Sequence, residues 1–179
     1  MARIILHPNV RCPFGVAVGT IDGKTLSFVD KTPYVDGRQI THAEIGYDLS
    51  VAVEEASIQI FGPEWSTDLG RVTGLNRRTV TRDRIERFGV APWVYEMLGR
   101  AATSPCPRAF GYQLLAAAEL CDRGPYALKG VKKWGANFQQ RIELGVMARY
   151  EMEKAWSEID RARTERETFN LSKVAETDQ

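Results

Sequence analysis

Six arginines fall within seventeen residues, Arg71, Arg77, Arg78, Arg82, Arg84 and Arg87, and only Asp83 and Glu86 oppose them. A local excess of four positive charges is the composition of a surface that neutralises phosphates, and a guanidinium can also donate two hydrogen bonds to guanine O6 and N7. The rest of the chain offers no comparable concentration. Residues 1–63 carry five Lys/Arg against seven Asp/Glu, and from Glu151 onward eight acids face five bases, so the overall charge of +1 conceals one basic segment. A weaker basic cluster, Lys129, Lys132 and Lys133 beside Trp134, fits a solvated helix end with Trp134 in the core, with a secondary phosphate contact as the alternative.

Other residue types suggest chemistry and do not sustain it. Gly23-Lys24-Thr25 has the closing residues of a phosphate-binding loop, but only Thr20, Ile21 and Asp22 separate it from Gly19, one residue too few to wrap a phosphate. The alternation of Leu26 and Phe28 with polar neighbours is that of a strand, so Asp22-Gly23 is expected to be a hairpin turn. His42, Glu44 and Asp48, with Asp22 and Asp36, could hold a metal, yet those two aspartates sit where turns favour them for backbone reasons. The three cysteines, Cys12, Cys106 and Cys121, form no C-x-x-C pair and have no histidine at motif spacing, and no Gly-x-Ser-x-Gly elbow appears. The chain is therefore read as a non-enzyme with no cofactor and no metal. With 44% hydrophobic residues, no apolar run long enough for a span and no secretory leader, a soluble cytoplasmic protein is expected.

The elements that must position the arginines are legible around them. Residues 1–40 are turn-rich and β-rich, with a second Asp-Gly at Asp36-Gly37. At Thr41 the pattern "THAE" is a capping box, and Ile45, Leu49, Ala52, Val53, Ala56 and Ile60 predict a helix to about Phe61. Pro63 opens a next helix that ends at Gly74, Asn76 is the N-cap of another, and "PWVYEMLGRAA" and "RAFGYQLLAAAELCDRG" predict two more, the latter buried and capped by Gly124. A last long helix from about Asn137 to Thr168 carries Phe138, Ile142, Val146, Met152, Trp156 and Ile159 as a stripe. That stripe is expected to pack on the body of its own chain, with pairing to a second copy as the alternative. The fold class is mostly α (α+β), divided into a β-rich 1–40, a helical 41–134 and a C-terminal 135–179.

Within "WSTDLGRVTGLNRRTVTRDR", Gly70 is small where two helices would cross, Gly74 lies in the turn, and Val80 could lock the second helix. On these positions "DLGRVTGLNRRTVTR" resembles the helix-turn-helix of Cro- and phage-repressor-type DNA-binding proteins, and the flanks "FGPEW" and "VAPWVYEML" resemble sequences beside such motifs in bacterial and phage proteins. The resemblance covers residues 61–100, with the motif at about 64–84. It departs at Asp83, where an apolar residue is usual, leaving Ile85 and Phe88 to supply the packing.

The resemblance implies a second helix in the major groove of double-stranded DNA, with Asn76, Arg77, Arg78, Thr81 and Arg82 facing outward. Arg78 and Arg82 would read base edges, Arg71 and Arg77 would bind phosphate, Thr81 would touch a thymine methyl, and Asn76 would cap its helix or bond a phosphate. It further implies a prokaryotic or phage transcriptional regulator acting by operator occupancy, as a dimer on half-sites about 34 Å apart. Two alternatives stand beside it: a protein-interaction module, such as a phage accessory or inhibitor protein using the motif as scaffold, whose partner would be met by the N- or C-terminal regions, and an architectural or replication DNA-binding protein.

Overall fold

In the computed structural model, which describes residues 2–13, 15–127 and 136–177 (side chains to 168), the chain is α+β. The basic patch around Lys129, Lys132, Lys133 and Trp134 lies outside the described residues. Two compact units divide the chain, Met1–Ala118 and Glu119–Gln179.

The first unit begins with five antiparallel strands in chain order: β1 (Ile4–Leu6), β2 (Val16–Ile21), β3 (Lys24–Val29), β4 (Thr32–Val35) and β5 (Arg38–Gln39). Both Asp-Gly pairs are the tight turns expected, with φ of 49° and 79° at Asp22-Gly23 and 46° and 80° at Asp36-Gly37, the left-handed pair that matches strand twist. Each turn aspartate also reaches beyond its hairpin: Asp22 Oδ1 accepts the Arg3 N–H and Asp36 Oδ1 the Thr25 N–H, both at 2.8 Å. A third turn at Asp30-Lys31 carries no Asp-Gly signature.

Helix α1 (His42–Phe61) starts at the expected box, where the Glu44 carboxylate accepts the Thr41 N–H at 2.6 Å and the Thr41 hydroxyl at 2.7 Å. These two bonds hold the Glu44 carboxyl below its ordinary pKa. All six apolar residues read at three-and-four spacing are buried. Around α1 lie α2 (Trp65–Thr73), α3 (Arg82–Phe88) and α4 (Pro92–Ala102). Sheet, α1 and α4 share one core, in which Phe28 of β3 stacks on Tyr95 of α4 at 5.3 Å. The boundary read at residue 40 therefore marks a change of secondary structure inside one compact unit.

Burial pushes the Tyr95 phenol up to about 12, against the opposing effect of the Val90 N–H that its oxygen accepts at 2.9 Å. Gly99 lets α4 pass over the end of β1, for a Cβ there would stand 2.9 Å from the His7 nitrogen.

Helix α5 (Pro107–Arg123) ends at Gly124, whose N–H bonds the Leu120 carbonyl at 2.9 Å. It is not the buried helix the alanine-rich sequence predicts. Only Gly111 and Ala118 are buried, Gly111 because the Ile60 carbonyl lies against it, while Phe110 and Tyr112 face solvent.

The second unit is dominated by α6 (Phe138–Thr177). Leu144 is buried on one side, and the Tyr126 hydroxyl donates to Glu143. The opposite side departs from expectation. Phe138, Ile142, Val146, Met152, Trp156 and Ile159 are all exposed, where the sequence predicts a covered stripe. No helix among the described residues is long and apolar enough to cross a membrane.

Candidate nucleic-acid interface

The basic segment is mounted on α1. Ile85 of α3 is fully buried, and Gly46 of α1 lies so close to the Glu86 carbonyl that any side chain there would collide with it. His42 Nε2 stands 3.1 Å from the Ile85 carbonyl and 2.9 Å from that of Glu86. Carbonyls only accept, so Nε2 carries the proton and His42 closes the last turn of α3. Its residue type suggests metal or acid–base work, but its contacts make it a joint between helices. The other acids considered with it are similarly engaged: Asp22 and Asp36 at their turns, Glu44 at its cap, and Asp48, whose Oδ2 accepts the Ala2 N–H at 3.1 Å.

Helix α2 ends as the sequence requires, with Gly74 left-handed at φ 71°. Trp65 and Leu69 bury its inner face, and Gly70 admits the following segment, since a Cβ there would meet the Leu75 carbonyl at 3.2 Å and the Arg77 Cα at 3.3 Å. Val80 is fully buried. Gly70 thus lies against the segment that follows α2, Gly74 in the turn and Val80 in the core.

The second helix expected from Asn76 onward does not form as one piece. Arg77–Thr79 make a single 3₁₀ turn, Val80 leaves helical geometry, Thr81 is extended with ψ of 153°, and α3 starts afresh at Arg82. Two physical causes combine. Val80 and Ile85 are both fully buried, but five residues along a straight helix place side chains about 140° apart, so only a break lets both enter one core. The β-branched run Thr79-Val80-Thr81 disfavours helix, and its hydroxyls offer the backbone alternatives: Thr79 Oγ1 bonds the Asn76 carbonyl at 2.7 Å.

This corrects the placement of the site residues. Asn76 is a cap, its Oδ1 accepting the Arg78 N–H at 3.0 Å. Arg77 and Arg78 are exposed on the 3₁₀ turn. Thr81, half-buried, is the N-cap residue of α3. Arg82 turns back to α1, where its Nη1 lies 2.9 Å from Glu54 Oε2 and its guanidinium 5.5 Å from the centre of the Tyr47 ring. Arg71 is exposed on α2. The five residues read as one outward helix face are therefore spread over a turn, a cap and an internal ion pair. At Asp83 the break takes the place of the missing apolar residue. Ile85 supplies the packing as expected, whereas Phe88 is exposed beneath Arg84, whose guanidinium lies 4.4 Å from its ring centre.

Arg84 and Arg87, both exposed, extend the basic surface beyond the set singled out from sequence. Their signal in the sequence is the charge count itself. No family model, curated protein or solved structure matches this chain.

Proposed function

We propose that this chain binds double-stranded DNA sequence-specifically through residues 71–87, as a cytoplasmic prokaryotic or phage transcriptional regulator that acts by occupying its operator. The observation that carries the reading is the exposure of Arg77, Arg78, Arg84 and Arg87 on a segment whose backbone is anchored by buried Val80 and Ile85. An anchored backbone removes the cost of ordering the segment when its cations meet a phosphate lattice, and most protein–DNA hydrogen bonds are of that phosphate kind.

Base reading moves to the projecting 3₁₀ turn. Arg78, with Arg77 beside it, is the residue to enter the major groove, while Arg82 acts through Glu54 as a positioning residue. Arg71 contributes phosphate binding.

Selection of sites from a random duplex pool tests this directly. Wild type is expected to enrich one motif and Arg78→Ala to lose it, whereas Arg71→Ala weakens binding to every sequence and reduces the salt slope by about 1. Arg82→Ala should change binding less than Arg78→Ala. Uniform binding of all duplexes would favour the architectural or replication role. A folded protein that enriches nothing would favour a protein-interaction module, the reading to which the uncovered stripe of α6 gives independent weight.

A further inference from the structure

Trp156 is 70% exposed and Phe138 76% exposed on the same side of α6, while Leu144 is buried on the other. One side of the helix thus carries buried Leu144, and another presents an exposed apolar face. Within that face lies Gly145, where a Cβ would meet nothing within 4 Å. Glycine weakens a helix interior, and among the described residues no contact calls for one here.

Counting Gly145 and Arg149 rather than Val146 gives a seam at 138, 142, 145, 149, 152, 156, 159 and 163, alternating steps of four and three throughout, which is the spacing of two helices wound together. We propose that α6 pairs antiparallel with α6 of a second copy of this chain, about a two-fold axis between Tyr150 and Glu151, so that Trp156 of each copy seats on Gly145 of the other. This inference stands independently of DNA binding.

The direction follows from what faces what. In this register Ile142 meets Ile159, Arg149 meets Met152, and Phe138 meets Arg163, whose guanidinium can lie on the ring. Largest opposes smallest, and no charge opposes its like. A parallel pair in register would set Arg149 on Arg149, Arg163 on Arg163, Trp156 on Trp156 and Gly145 on Gly145, combining repulsion with a bulge beside a void. The area also suffices. Phe138 and Trp156 from both copies carry on the order of 500 Å² of exposed surface. The aliphatic seam residues and arginine stems bring the total to roughly the 1,200 Å² at which stable interfaces begin.

Sedimentation equilibrium of the full chain should give twice the 20.1 kDa mass, and Trp156→Glu a single chain of unchanged helicity. Trp156→Gly and Gly145→Trp should each raise the dissociation constant at least about tenfold, and the double swap should restore it to within about threefold. Direction is read from spin labels placed in a chain whose three cysteines are replaced by serine. Labels at Glu151 should lie close together and labels at Thr164 about 40 Å apart. A wild type that stays monomeric across the micromolar range overturns the proposal and gives the stripe to a different partner. A dimer that survives Trp156→Glu, or one with short distances at both label positions, overturns it as well.

Discussion

Helices α1 and α6 carry the same kind of stripe and meet opposite fates. In α1, Ile45, Leu49, Val53 and Ile60 vanish beneath the sheet, α3 and α4, whereas in α6 Phe138, Ile142, Trp156 and Ile159 remain in solvent. Periodicity reports that a face must be covered and is silent on what covers it. The difference lies in what surrounds each helix in the chain. Strands precede α1, and α2, α3 and α4 follow it by Ala102, so its cover is local.

The sharpest way to break the comparison is to truncate one residue of each stripe. Leu49→Ala should destabilise the first unit by about 2–5 kcal/mol in urea unfolding, because it leaves a cavity in a closed core. Ile142→Ala, at dilutions where the chain is single, should stay within about 0.5 kcal/mol. Similar losses for both would mean that the stripe of α6 is covered within its own chain.

Next in size is the joint that lets α3 lie on α1. Gly46→Ala forces a methyl against the Glu86 carbonyl and should cost about 1–3 kcal/mol, with the faster amide exchange concentrated in α3. Uniform acceleration over α1–α4 would argue that α3 is not separately hinged on that contact.

Tyr95 sharpens the contrast through pH. Its folded pKa, about 12, lies above the unfolded value of 10, so the unfolded chain releases the proton first and stability falls as pH rises. The contribution, on the order of 2–3 kcal/mol, is fully present below pH 10 and is lost between about pH 10 and 12. Tyr95→Phe should abolish that part of the alkaline dependence, while leaving the Val90 N–H without its acceptor at a cost of about 1–3 kcal/mol. An unchanged alkaline profile would refute the assignment.

The smallest effect isolates the glycine of α6. In a Trp156→Glu background Gly145→Ala should raise the melting stability of the helix by up to about 1 kcal/mol, since a methyl there meets only open space. A decrease would mean that the chain itself presses on that position.

What could be read from the sequence follows the range of each interaction. Asp22-Gly23, Asp36-Gly37, Thr41 with Glu44, and Gly74 state their conformations within four residues, and each stands where it was expected. The break at Val80-Thr81 contains no Gly or Pro. Its sign was the five-residue interval between two residues that both had to be buried, a conflict visible only once Ile85 is assigned to the core. Arg82 was misplaced because its partner, Glu54, is 28 residues away, and nothing local foretells the α3 carbonyls that His42 holds. The exposed arginines of the candidate site were legible as composition, but the surface that orders them is tertiary.

The sheet has its own timetable. Because its strands neighbour one another in chain order, every pairing is available as soon as the next hairpin leaves the ribosome. Its inner face is not complete until α4 arrives: Phe28 emerges about 3–13 s before Tyr95, the ring that stacks on it. During that interval the growing chain displays a paired but uncovered sheet, which makes synthesis, rather than the finished fold, the moment when its apolar strands are most open to chaperones and to neighbouring chains.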